Sequence, residues 1–123
     1  MTPAARPLSL DEALPVLART RVAAKTAGLD AMGDTAASLE ARIEGLLGAE
    51  TPSSSEACER TLARAEQAAR AAADLMRSSG ASQGFADAHS LDLMLVSEAV
   101  SQHVSRLEML ARTYRAEAGQ LAG

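Results

Sequence analysis

Aromatic side chains are almost missing from this chain, which has no Trp, one Phe and one Tyr among 123 residues. A core without large rings has to be built from Leu, Val, Ile, Met and, above all, Ala. Such a core is thin, brings helix axes close together and gives modest stability for the length. Val, Ile, Thr and aromatic residues are also too sparse and too scattered to make strands, which leaves an all-α fold. The single cysteine, Cys58, excludes an internal disulfide and fits a reducing compartment. No uninterrupted apolar stretch approaches the roughly 20 residues of a membrane span. The opening segment carries Pro3, Arg6 and Pro7 where a signal peptide needs an apolar core, so a soluble cytoplasmic protein is expected. The net charge is −4, with acids and bases interspersed. Without a basic patch to displace counterions, non-specific nucleic-acid binding is disfavoured.

What the chain does have is helical periodicity, clearest over residues 85–121. His89, Val96, His103 and Leu110 recur every seventh residue, and Leu93, Val100, Leu107, Tyr114 and Leu121 recur four positions later. This three-four spacing is the seam of a coiled coil or narrow bundle. Val104 and Ala111 widen the stripe for a helix packed between two neighbours. A helix of that extent is about 54 Å long at about 1.5 Å per residue.

Residues 1–8 read as a flexible arm, followed by one bundle domain over 9–121. Ser9-Leu10-Asp11-Glu12 is a capping box, and Leu10, Leu14 and Leu17 open an apolar stripe. Pro15 predicts either a kink or a helix start nearer Leu14. A second stripe follows at Met32, Ala36, Leu39, Ile43 and Leu46. Each glycine, Gly28 and Gly33, costs a helix only about 1 kcal/mol against Ala, and little chain lies between the stripes for a reversal. These features predict one long helix bent near Gly28. Gly48 and Pro52 end it, and Ser53 with Glu56 caps a second helix with Cys58, Leu62, Ala65, Ala69, Ala72 and Met76 inward. Residues 78–84 make the next turn. The expected architecture is an antiparallel three-helix bundle with long coiled-coil-like helices, or a four-helix bundle if the first helix breaks near Gly28.

Catalytic and metal chemistry find little support. His89 and His103 are the only imidazoles, and a helix separates them by about 21 Å, too far to share a metal within one chain. Ala88-His89-Ser90-Leu91 resembles the start of the histidine phosphotransfer motif, in which a Lys and then a Gly follow the phosphorylated His. Here those positions hold Asp92 and Leu93, an anion for a cation and bulk where a partner needs room, so His89 is a phosphoacceptor only in an alternative reading. Cys58 has no neighbouring base, and Glu56 and Glu59 oppose a thiolate. Glu66 with Arg70 and Glu108 with Arg112 read as ordinary pairs one helical turn apart. The glycine-rich nucleotide-binding patterns are missing. The reading is a non-enzyme with no cofactor and no small-molecule substrate.

Two stretches carry a family resemblance. Ala27-Gly28-Leu29-Asp30-Ala31-Met32-Gly33-Asp34 leads into Leu39-Glu40-Ala41-Arg42-Ile43-Glu44-Gly45-Leu46-Leu47, and residues 95–114 form an apolar-faced helix. Together they resemble the first and last helices of flagellar (type III) export chaperones of the FlgN/FliT type. The resemblance implies a small acidic helical protein of the cytoplasm whose last helix receives an amphipathic segment of a partner protein. Unequal helix lengths point to the same region. A final helix longer than its neighbours should project past them beyond Leu107, carrying Leu110, Ala111, Tyr114 and Leu121, and with Val104 and Leu107 these are the residues expected to bind a partner helix or a second copy of the chain. Histidine phosphotransfer through His89 and structural self-association are the competing functions.

Overall fold

The bend expected near Gly28 is a full reversal of the chain. The computed structural model describes residues 8–80 and 82–122, with side chains as far as Gly119. It forms α1 over Leu10–Thr26, α2 over Asp30–Gly48, α3 over Ser55–Ser79 and α4 over Gln83–Ala122, with no strand among the described residues. The three-helix expectation is therefore corrected to its four-helix alternative. The expected arm lies outside the described residues except for Leu8, which packs against the core.

The reversal needs almost no chain because α1 ends in a Schellman motif. Gly28 adopts φ +80°, a left-handed conformation that costs a residue with a Cβ about 1–2 kcal/mol. The Leu29 N–H then donates to the Ala24 carbonyl at 2.8 Å and the Gly28 N–H to the Lys25 carbonyl at 3.1 Å. α2 starts at once at Asp30, its first turn running beside the last turn of α1. A Cβ on Gly33 would lie 2.7 Å from the Lys25 side chain, so glycine permits that close approach. Lys25 reaches Asp34 at 2.6 Å and Arg21 reaches Glu40 at 2.5 Å. Pairs that step down one helix while stepping up the other are the signature of an antiparallel hairpin.

At the start of α1 the Ser9 N–H donates to the Glu12 carboxylate at 3.1 Å, as the capping box requires. The helix begins at Leu10 rather than near Leu14 and runs on through Pro15, which lies on its exposed face. At α3 the cap is one residue later than expected: the Ser54 hydroxyl, not that of Ser53, accepts the Ala57 N–H at 3.1 Å.

Each helix packs against its neighbour in sequence, and α1 closes the ring on α4. One core joins them. The α2 stripe of Met32, Ala36, Leu39, Ile43 and Leu46 is buried as its spacing predicts, and so are Leu93, Val96, Val100 and Leu107 of α4. α3 differs. It buries Cys58, Ala65, Ala68, Ala72, Leu75 and Ser79, while Leu62, Ala69 and Met76 are half-buried beside them. Buried Thr20 in α1 satisfies its hydroxyl on the Val16 carbonyl at 3.1 Å, so this polar group sits in the core without a partner from another helix.

Candidate protein-binding site

The four helices do not end level. The Arg42 guanidinium donates to Gln67 at 3.1 Å, which sets the register of α2 on α3. On that register the end of α2 lies beside the second turn of α3. Residues 49–54 join α2 to α3 without a helix, and Ala49 (φ −75°, ψ 142°) and Ser54 (φ −145°, ψ 162°) at its two ends are extended. Across from them α4 runs on. The Cys58 thiol donates to the Leu107 carbonyl at 3.4 Å, and the Tyr114 hydroxyl donates to the Pro52 carbonyl at 2.9 Å. Beyond Leu107 the α4 stripe thus meets the linker at Pro52, while Leu46 near the end of α2 lines the same hollow as Leu107 and Leu110.

This placement corrects the expected projection of the stripe. Leu107 and Ala111 are buried, at 6% and 0% exposure. Val104, Leu110 and Tyr114 are half-buried and pack against the core. Leu121 belongs to α4, but its side chain lies outside the described residues. Composition and spacing alone could not show that the Pro52 linker lies along α4. The one signal was an unpaired tyrosine on an apolar stripe, whose hydroxyl requires an acceptor when buried.

The cover is incomplete. Leu46, Pro52, Leu107 and Leu110 line an apolar cavity of about 250 Å³ that is rimmed by Glu50 and Arg106. A second depression of about 210 Å³ opens between Leu8, Leu10, Leu47 and Ala99. His103 and Arg106 stand between the two and line both. Burial disfavours the imidazolium of His103, and the Arg106 charge repels it, so its pKa is lowered from the ordinary value of 6.5. The partial burial expected from the apolar setting of Val100, Val104 and Leu107 is found, and the pKa is lowered as that setting predicts.

His89 lies at the opposite end of α4, half-buried, with its ring 4.5 Å from that of Phe85. Leu93, where the phosphotransfer motif has glycine, is buried in the core. Among the described residues no group of His, Cys, Asp and Glu side chains is placed to hold a metal ion, and no helix is long and apolar enough to cross a membrane. Neither expected ion pair, Glu66 with Arg70 or Glu108 with Arg112, is among the bridges formed. No protein-family model, curated protein or solved structure matches this chain.

Proposed function

We propose that this protein is a non-enzymatic helical adaptor or chaperone of the cytoplasm that binds an amphipathic helix of a partner protein along the C-terminal half of α4. The observation that carries the reading is the contact of the non-helical linker with that half, made through Tyr114 and Pro52. Leu107, Leu110, Ala111 and Tyr114 form a helix-length apolar stripe, yet their cover includes an extended segment tied down through Tyr114 and Pro52. An extended segment buries less apolar area per unit length than a helix and is held by few bonds. A partner helix that lays its own apolar face into this groove gains more burial than the linker gives up. The cavity beside Leu110 supplies a starting point for that exchange.

The phosphotransfer alternative has less behind it, because Asp92 and Leu93 stand where that chemistry needs a cation and a gap. The resemblance to FlgN/FliT-type export chaperones makes a late flagellar substrate the first partner to test. A photo-crosslinking residue at Leu110, introduced in the native host, provides the test. The proposal expects an adduct that maps to an amphipathic helical segment of another protein, and expects Leu110→Asp to abolish that interaction in a folded variant. Adducts confined to this chain's own linker overturn the adaptor reading, and adducts to α4 of a second copy replace it with self-association.

A further inference from the structure

A second surface, the seam between α2 and α3, has a different character. This seam is an open groove with two contiguous hollows, about 460 and about 320 Å³, which share Arg42 and Gln67 as lining residues. Its walls are low, with Ser38, Gly45 and Ala71 among the lining residues, and a Cβ on Gly45 would meet nothing within 4 Å. Three arginines line it: Arg42 from α2, and Arg64 and Arg70 from α3.

The charge balance in this groove is unlike that of the whole chain. The net charge is −4, but none of these three arginines enters an ion pair among the described residues. The two acids at the groove, Asp34 and Asp74, are already neutralised by Lys25 and Arg77. Arg42 is held across the seam by the neutral amide of Gln67, which fixes its position without cancelling its charge. Glu66, one turn from Arg70, is not in ion-pair contact with it. An acidic protein therefore concentrates uncompensated guanidinium groups in one concave strip.

The spacing of those groups specifies what fits. Arg42 is level with Gln67, and Gln67 lies midway between Arg64 and Arg70 in the α3 sequence. The cations thus alternate between the two walls at steps of about 4.5 Å along the groove. Carboxylates three or four residues apart on a helix recur at about 5–6 Å. The groove between two helices, with small side chains among its lining residues, also has the shape that accepts a third helix. We infer that the α2–α3 groove is a docking surface for an acidic helix of a partner protein, whose Glu or Asp side chains at i, i+3 and i+7 pair with Arg64, Arg42 and Arg70. Arginine suits this task because its planar fork meets a carboxylate through two parallel hydrogen bonds. A nucleic acid fits less well. Three cations neutralise few phosphates, and the surrounding acidic surface repels the rest of the strand.

The inference is independent of the α4 site and is tested separately. The probe is a capped, alanine-based helical peptide carrying glutamates at i, i+3 and i+7, titrated by fluorescence anisotropy against the full chain. The comparison ligands are the same peptide with Gln for each Glu, an oligothymidylate, and vesicles containing phosphatidylglycerol. The glutamate peptide should bind, weaken with added salt, and bind at least about tenfold more tightly than its Gln counterpart. Arg64→Gln, which removes an exposed charge and breaks no hydrogen bond, should weaken it several-fold without shifting the melting temperature. Combined Arg42→Gln, Arg64→Gln and Arg70→Gln substitutions should abolish it. Equal binding of the Gln peptide, undiminished binding by the folded Arg64→Gln variant, or no binding of the glutamate peptide at low salt overturns the inference. Tighter binding of the oligonucleotide or of the vesicles than of the glutamate peptide also overturns it.

Discussion

The Tyr114 hydroxyl donates to the Pro52 carbonyl at 2.9 Å across 62 residues of sequence. This bond joins the far part of α4 to a linker that would otherwise be bounded only by its two ends. Pro52 contributes a carbonyl acceptor from a residue that has no N–H to offer in exchange, so the contact is one-directional and depends on the phenol.

Removal of the hydroxyl alone should loosen the linker without disturbing the bundle. Tyr114→Phe is expected to lower stability by about 1 kcal/mol in urea unfolding. Hydrogen exchange should quicken at residues 49–54 and remain unchanged in α2. Tyr114→Ala, which also deletes a half-buried ring, should cost about 2 kcal/mol or more. A Tyr114→Phe variant with native exchange rates in the linker would show that the ring, rather than the hydroxyl, holds it.

Two glycines should respond with opposite signs to the same substitution. Gly28→Ala places a Cβ on a residue at φ +80° and should destabilise by about 1–2 kcal/mol. Gly45 lies inside α2, and a Cβ there meets nothing within 4 Å. Gly45→Ala should therefore stabilise by about 0.5–1 kcal/mol through helix propensity alone. Paired urea melts with a common slope check both values. A neutral Gly28→Ala would remove the Schellman explanation of the α1–α2 turn.

The lowered pKa of His103 makes stability pH-dependent in a defined direction. As pH falls below about 6.5, the unfolded chain takes up the imidazole proton before the folded chain does. Stability should decline through that range and level off once the folded state is also protonated. His103→Gln should remove this component of the slope, seen by comparing urea midpoints at about pH 7.5 and about pH 5.5. An NMR titration that places the folded pKa above 6.5 would contradict the assigned burial and the repulsion from Arg106.

The alanine seam of α3 predicts that added apolar bulk is harmful. Ala68 and Ala72 are 0% and 2% exposed. Leu at either position should cost about 1–3 kcal/mol by forcing neighbouring helices apart. Ala73→Leu, on the exposed face of the same helix, should change stability by less than about 0.5 kcal/mol. Tolerance of Leu at Ala72 would mean that the helices can separate there without loss.

The same alanines explain how much of the fold could be read from the sequence. In α2 and α4, Leu, Ile, Val and Met recur with a helical phase, and the stripe from Met32 to Leu46 and the seam from Leu93 to Leu107 are buried as expected, while Leu47, Leu91, Met94 and Met109 lie exposed off that phase. In α3, alanine recurs around the helix and carries no phase. Ala68 and Leu75 are buried where Ala69 and Met76 were expected, a rotation of one residue that packing against both α2 and α4 decides. The four-helix count turned on Gly28 followed by Leu29, a C-terminal helix stop that reverses the chain within the three residues between α1 and α2. The apolar stripe at the candidate site was legible, but its cover was not, because nothing in residues 49–54 reveals the direction in which an extended linker runs.

Packing every helix against its neighbour in sequence has a kinetic consequence. The α1–α2 and α3–α4 hairpins close over short loops, so most contacts carry little loop-closure entropy and the topology has low contact order. Folding of such bundles falls on the order of microseconds to milliseconds. The pairing of α1 with α4 spans most of the chain, so it is expected to form last. Leu17 of α1 and Val96 of α4, both in the core, should therefore gain their native surroundings after Lys25 has met Asp34, so substitutions at either should act mainly on the unfolding rate.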